Sequence, residues 1–103
     1  MKNKKEIRNN FRTEVFKRDG GKCVFCDLDA KDAHHITDRS SPEIYNGGYV
    51  LENGISLCAD HHRIAEIYHE SGGVNWQEGF HPDDLYLKIG SSKELAIQKS
   101  LEL

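Results

Sequence analysis

Asn53-Gly54-Ile55-Ser56-Leu57-Cys58-Ala59-Asp60-His61-His62 is the stretch whose reading decides the fold. Residues 54–57 read as a short strand, and a helix is expected to begin near Ala59. At the junction, Cys58-x-x-His61 offers two metal ligands, with a second histidine directly after them. The upstream counterpart is Cys23-x-x-Cys26, followed by His34-His35 within a second short strand expected over residues 33–36. The two strands are expected to pair.

Zinc takes four soft or borderline ligands in a tetrahedron, and two residues on one tight turn can share an ion. Cys23 and Cys26 supply one pair here, and Cys58 and His61 the other. This assignment uses all three cysteines, an odd number that suits metal ligation better than a disulfide framework. A chain of 103 residues that is 37% hydrophobic makes one small domain with a thin core. Domains of that size commonly rely on a metal or disulfide staple.

Working outward, the polar residues 1–10 are expected to fray, with a short amphipathic helix over about 11–17 that presents Phe11, Val15 and Phe16. Asp19-Gly20-Gly21 ends it. Ser40-Ser41-Pro42 and Asn46-Gly47-Gly48 mark a long loop between the strands. The helix from Ala59 is expected to stop before Ser71-Gly72-Gly73. Beyond it come Trp76 and Phe80, a Pro-Asp-Asp turn, and a last helix from about Ser91, capped by Ser91 or Ser92. This tail reads as packing, and His81 as a turn residue.

Charge is distributed unevenly. Residues 1–22 hold eight basic and three acidic side chains, whereas the remainder holds six and fourteen. A basic arm on an acidic body can meet phosphate despite a net charge of -3. No apolar run approaches the ~20 residues that span a bilayer, and no signal peptide is visible, so a cytoplasmic location without membrane association is expected.

With His61 assigned to zinc, His62 is turned by about 100° around the helix and must point elsewhere. Glu66 shares its face one turn on, and His69 continues that face. On the strand, His34 and His35 point to opposite sides, so one can ligate while the other stays free to accept a proton.

Taken together, Asp32-Ala33-His34-His35-Ile36, Asn53 through Cys58 and His61-His62 resemble the HNH endonuclease family. The Cys-x-x-Cys and Cys-x-x-His pairs resemble its zinc-stapled branch. The resemblance runs over roughly residues 11–70. It implies a small, zinc-stabilised α+β fold with a ββα-metal (His-Me finger) core and flanking helices. By position, His34 and His62 match the ligands of a catalytic divalent ion, His35 the general base, and Asn53 the asparagine that braces the loop and orients the base. Many relatives carry a histidine where this chain has Glu66; a carboxylate there would favour magnesium or manganese, or another divalent transition metal. His69 is the alternative fourth corner.

The expected organisation is a basic arm and short helix over 1–22, a zinc-stapled HNH core over 23–70 and a helical extension over 71–103, all one domain. The expected activity is metal-dependent hydrolysis of phosphodiester bonds in DNA, with Arg39 and Arg63 as weaker candidates for phosphate contact. The alternatives are a catalytically inactive zinc-stapled DNA-binding module and an HNH-type nuclease acting on RNA. So small a surface implies weak sequence preference unless the chain forms a homodimer or works beside a larger nuclease or phage partner.

Overall fold

The computed structural model describes residues 3–103. Its elements run in the order α1 (Lys4–Arg18), β1 (Asp32–His35), β2 (Gly54–Leu57), α2 (Ala59–Glu70), α3 (Pro82–Lys88) and α4 (Lys93–Leu101), with short 3-10 turns at Asn46–Gly48 and Leu51–Asn53. The molecule is a small α+β fold whose two strands pair antiparallel, with Asp32 opposite Leu57 and His35 opposite Gly54.

Helices lie on both faces of this ribbon. On one face, Phe11 and Val15 of α1 are buried, and the Phe11 ring stacks on His35 with centroids 4.6 Å apart. Gly54 makes this approach possible: a Cβ there would lie 2.8 Å from the Phe11 ring and closer still to Val15. Asp19, just past α1, accepts the backbone N–H of Ser56, and Ser56 donates its hydroxyl to the Val15 carbonyl. Arg18 completes the junction by donating to the carbonyls of Leu51 and Gly54. The opposite face carries Asp32 and His34, which meet side chains of α2.

β1 runs one residue earlier than expected, and two elements differ more widely from the reading of the sequence. α1 begins at Lys4 rather than near Phe11, because Asn3 caps it by accepting the Glu6 N–H at 2.9 Å. The Pro-Asp-Asp segment is a helix and not merely a turn. His81 is its N-cap, accepting from Asp83 N–H through Nδ1, while Asp84 accepts from His81 N–H in return. Such reciprocal capping, with Pro82 in the first turn, suits a helix of only seven residues. β2 has the expected bounds, α2 starts and stops as expected, and α4 is capped by Ser92.

The core gathers Ile36, Ile44, Ile55, Leu57, Ala65, Phe80, Leu85, Tyr86 and Ala96, so the C-terminal helices share one core with the sheet. Among the described residues, no helix is long and apolar enough to cross a membrane.

Candidate metal centres and active site

Cys23, Cys26, Cys58 and His61 converge on one point. The His61 Nδ1 atom lies 3.4, 3.7 and 3.2 Å from the sulfurs of Cys23, Cys26 and Cys58, and the Cys26 and Cys58 sulfurs are 3.8 Å apart. A tetrahedral zinc with ordinary bond lengths requires S···S of about 3.8 Å and S···N of about 3.6 Å. The donor set therefore fits zinc in both chemistry and spacing. The His61 ring is held by Phe25 and Phe80, which stack near it at 5.4 and 5.9 Å. Phe80 thus ties the C-terminal region to the cluster.

A second group forms where β1 meets α2. His34, His62 and Glu66 each bring a ligand atom within 4.8 Å of the others. Glu66 Oε1 lies 2.9 Å from His62 Nε2 and 3.3 Å from His34 Nδ1. The other nitrogen of His62 faces Asp32 at 3.2 Å. A carboxylate behind a histidine fixes its tautomer and leaves the far nitrogen to ligate, the usual support of a metal-bound imidazole. His34 is almost fully buried, and its Nδ1 makes no hydrogen bond despite its closeness to Glu66. A buried orphan nitrogen beside an ionised carboxylate fits a divalent cation.

The electrostatics agree with this geometry. The close contacts with His34, then with His62, hold the Glu66 carboxyl far below its usual range. Its contact with Glu66 is the main reason that the His62 pKa is raised. Burial lowers that of His34 and outweighs the pull of Glu66.

His35 approaches from the opposite face of β1. Its ring is stacked on Phe11 and capped edge-on by Tyr49 at 4.6 Å. Its Nε2 is buried without a hydrogen-bond partner. Burial, reinforced by the charges of His34 and Arg39, lowers its pKa to about 4. His34 and His35 nevertheless line one cleft of about 510 Å³, shared with Asp32, Asp38, Arg39, His62, Glu66 and His69.

Asn53 lies behind this cleft, fully buried. It accepts from Thr37 N–H at 2.9 Å and from the Tyr86 hydroxyl at 2.7 Å, and donates to the carbonyls of Thr37 and Gly48, each at 3.1 Å. Its own carbonyl accepts from Ile36 N–H at 2.9 Å. It holds the backbone that follows His35, at Ile36 and Thr37, and makes no hydrogen bond with the imidazole.

Residues 23–64 match the family model described as HNH endonuclease. This match lies inside the stretch whose motifs carried the resemblance. Comparisons with curated proteins and with solved structures returned no match. The matched segment contains the whole Cys3His cluster together with His34, His35, Asn53 and His62, while Glu66 lies two residues beyond it.

Not every candidate joins the site. Arg39 lines the cleft and donates to the Tyr49 hydroxyl at 3.1 Å. Arg63 is exposed on α2 and faces Asp60 at 3.8 Å, away from the cleft lining. His69 donates through Nε2 to the His35 carbonyl at 3.0 Å and stacks on His34, which makes it a brace for the histidine pair. The reading of the sequence missed Asp32 and Tyr49. Strand alternation puts Asp32 on the face of His34 and was a signal available for it. Tyr49 arrives from the loop, which has no periodicity to betray it.

Proposed function

We propose that the protein is a metal-dependent HNH endonuclease that hydrolyses phosphodiester bonds in DNA. In this reading, β1, β2 and α2 form a ββα-metal core within residues 23–70, supported by the segments 1–22 and 71–103. The observation that carries it is the convergence, in one cleft, of a ligand set on one side and a neutral histidine on the other. His34, His62 and Glu66 would hold a divalent ion such as magnesium or manganese. When bound, that ion supplies charge neutralisation at a phosphate oxygen and at the departing oxygen.

The protein's own groups do the rest. His35, neutral at physiological pH, takes a proton from a water molecule, and the oxygen of that water bonds to phosphorus as the opposite P–O bond breaks. Phe11 and Tyr49 fix the imidazole plane. Asn53, through Thr37, holds the backbone that carries His35. Asp32 and His69 orient His62 and the β1 terminus. The Cys23, Cys26, Cys58 and His61 cluster plays no chemical part and holds zinc as a staple.

Supercoiled plasmid incubated with magnesium or manganese tests the reading. Relaxed or linear product is expected from the wild type and very little from His35→Ala. Intact plasmid with every ion, together with retained DNA binding, would point to an inactive binding module. Cleavage of single-stranded RNA but not of plasmid would transfer the activity to RNA. Equal cutting by both versions would remove His35 from the role of base.

A further inference from the structure

Five basic side chains of the N-terminal region divide into two groups. Arg12 donates to the Lys31 carbonyl and lies over the Phe16 ring, Arg18 is tied to Asp19 and two carbonyls, and Lys22 pairs with Asp29. These serve the fold. Lys4 and Arg8, one turn apart on α1, instead line a groove of about 520 Å³. Its remaining walls are Ile7, Arg39, Ser40, Asn46, Gly47 and Tyr49. Among the described residues, Lys4, Arg8 and Arg39 form no ion pair with a carboxylate.

The groove adjoins the active cleft, since Arg39 lines both. Tyr49 is the hinge between them: its hydroxyl accepts from Arg39 at 3.1 Å, and its ring caps His35. Burial pushes the Tyr49 phenol up, but the guanidiniums of Arg39 and Arg8 outweigh this and leave it below its usual value. Both arginines line the groove together with Tyr49. Three cations without carboxylate partners in a groove demand an anion, and one that continues into the cleft of a phosphodiesterase suits a polyphosphate strand.

We propose that Lys4, Arg8 and Arg39, gathered around Tyr49, bind the backbone phosphates of the nucleic-acid strand next to the bond cleaved at His35. This rests on the nuclease reading for the identity of the strand. The groove sets the path of the substrate: the strand leaves the cleft across the N-terminal half of α1. Phosphate contacts position a strand without reading its sequence, so the groove contributes affinity and register but no base preference.

The test is fluorescence anisotropy of a labelled DNA duplex without added divalent ion, at several salt concentrations, for wild type, Arg8→Gln and Lys88→Gln. Lys88 lies over Phe25, outside the groove, and serves as the control. Arg8→Gln is expected to bind about three- to tenfold more weakly and to lower the slope of log K against log salt by about 0.9. Lys88→Gln should change neither. In plasmid cleavage, Arg8→Gln should raise KM and leave kcat close to that of the wild type. An unchanged salt slope and KM in a folded Arg8→Gln overturns the groove while leaving the nuclease reading intact. Displacement of the duplex by polyglutamate at equal charge concentration also overturns it, since a carboxylate polymer would then serve as well as phosphate. An Arg8-dependent slope in a protein that never cuts supports the groove and sinks the nuclease reading instead.

Discussion

His35 and His62 respond to pH in opposite directions, which gives the proposed base and the proposed metal ligand separate pH signatures. The His35 pKa falls to about 4 in the folded protein, from ~6.5 in an unfolded chain. Between those values the unfolded chain holds a proton that the folded chain refuses, so this residue lowers stability as pH drops through that window. Above it, His35 is neutral in both states. In the proposed reading, loss of activity on mild acidification therefore does not come from His35. It should come from His62, whose pKa is raised chiefly by Glu66 and whose proton an incoming ion must displace. Initial rates measured from about pH 5 to 8 at two manganese concentrations check this. The acid limb should move to lower pH at the higher concentration, and a limb that stays fixed would contradict the assignment.

Asp19 behaves as a carboxylate usually does. Burial raises its pKa, but its bonds with Arg18 and Ser56 prevail and hold it below 3.8. Its contribution is present above the unfolded value and is lost as pH falls through the lower folded value. The stability gap between wild type and Asp19→Asn should therefore be constant near neutrality and shrink below about pH 4. For Asn53→Ala, loss of four side-chain hydrogen bonds in a buried site should cost on the order of 1–3 kcal/mol or more, read from denaturant midpoints.

At the scale of elements, the packing of α1 on the sheet hangs on one missing methyl group. Gly54→Ala puts a Cβ against Phe11 and Val15, and the helix must shift. Overpacking of this kind typically costs about 1–3 kcal/mol. Because Phe11 also stacks on His35, a loss of kcat should accompany the loss of stability. A stable Gly54→Ala with full activity would show that α1 yields freely. β2 and α2 were legible because strand and helix each carry their own period and the metal ligands mark the junction. The start of α1 was not, since its first two turns are mostly polar and their order comes from the Asn3 cap and from packing further along. α3 was hidden by its length: seven residues held by a His81 capping box are too few to display a helical period.

At the scale of the whole molecule, the Cys3His cluster joins the Cys23–Cys26 knuckle to the start of α2 and, through Phe80, to the C-terminal region. Structural zinc contributes roughly 10–16 kcal/mol in small domains, comparable with or greater than the ~5–15 kcal/mol net stability of a typical protein. Removal of zinc with a strong chelator should therefore abolish the folded circular-dichroism signal, and stoichiometric zinc should restore it. A protein that keeps its melting transition without zinc would show that the apolar core suffices.

Ligand spacing and local periodicity are properties of neighbouring residues, so the sequence alone determined the Cys3His grouping, the β2–α2 junction and the opposed His34 and His35. Partners from distant parts of the chain carry no such local mark. Tertiary structure alone decided that Asp32 backs His62, that Tyr49 and Phe11 enclose His35, and that Tyr86 of α3 reaches the amide of Asn53. It also divided two arginines that look alike in sequence. The turn after β1 brings Arg39 back to the cleft, and the helical phase of α2 carries Arg63 away from it.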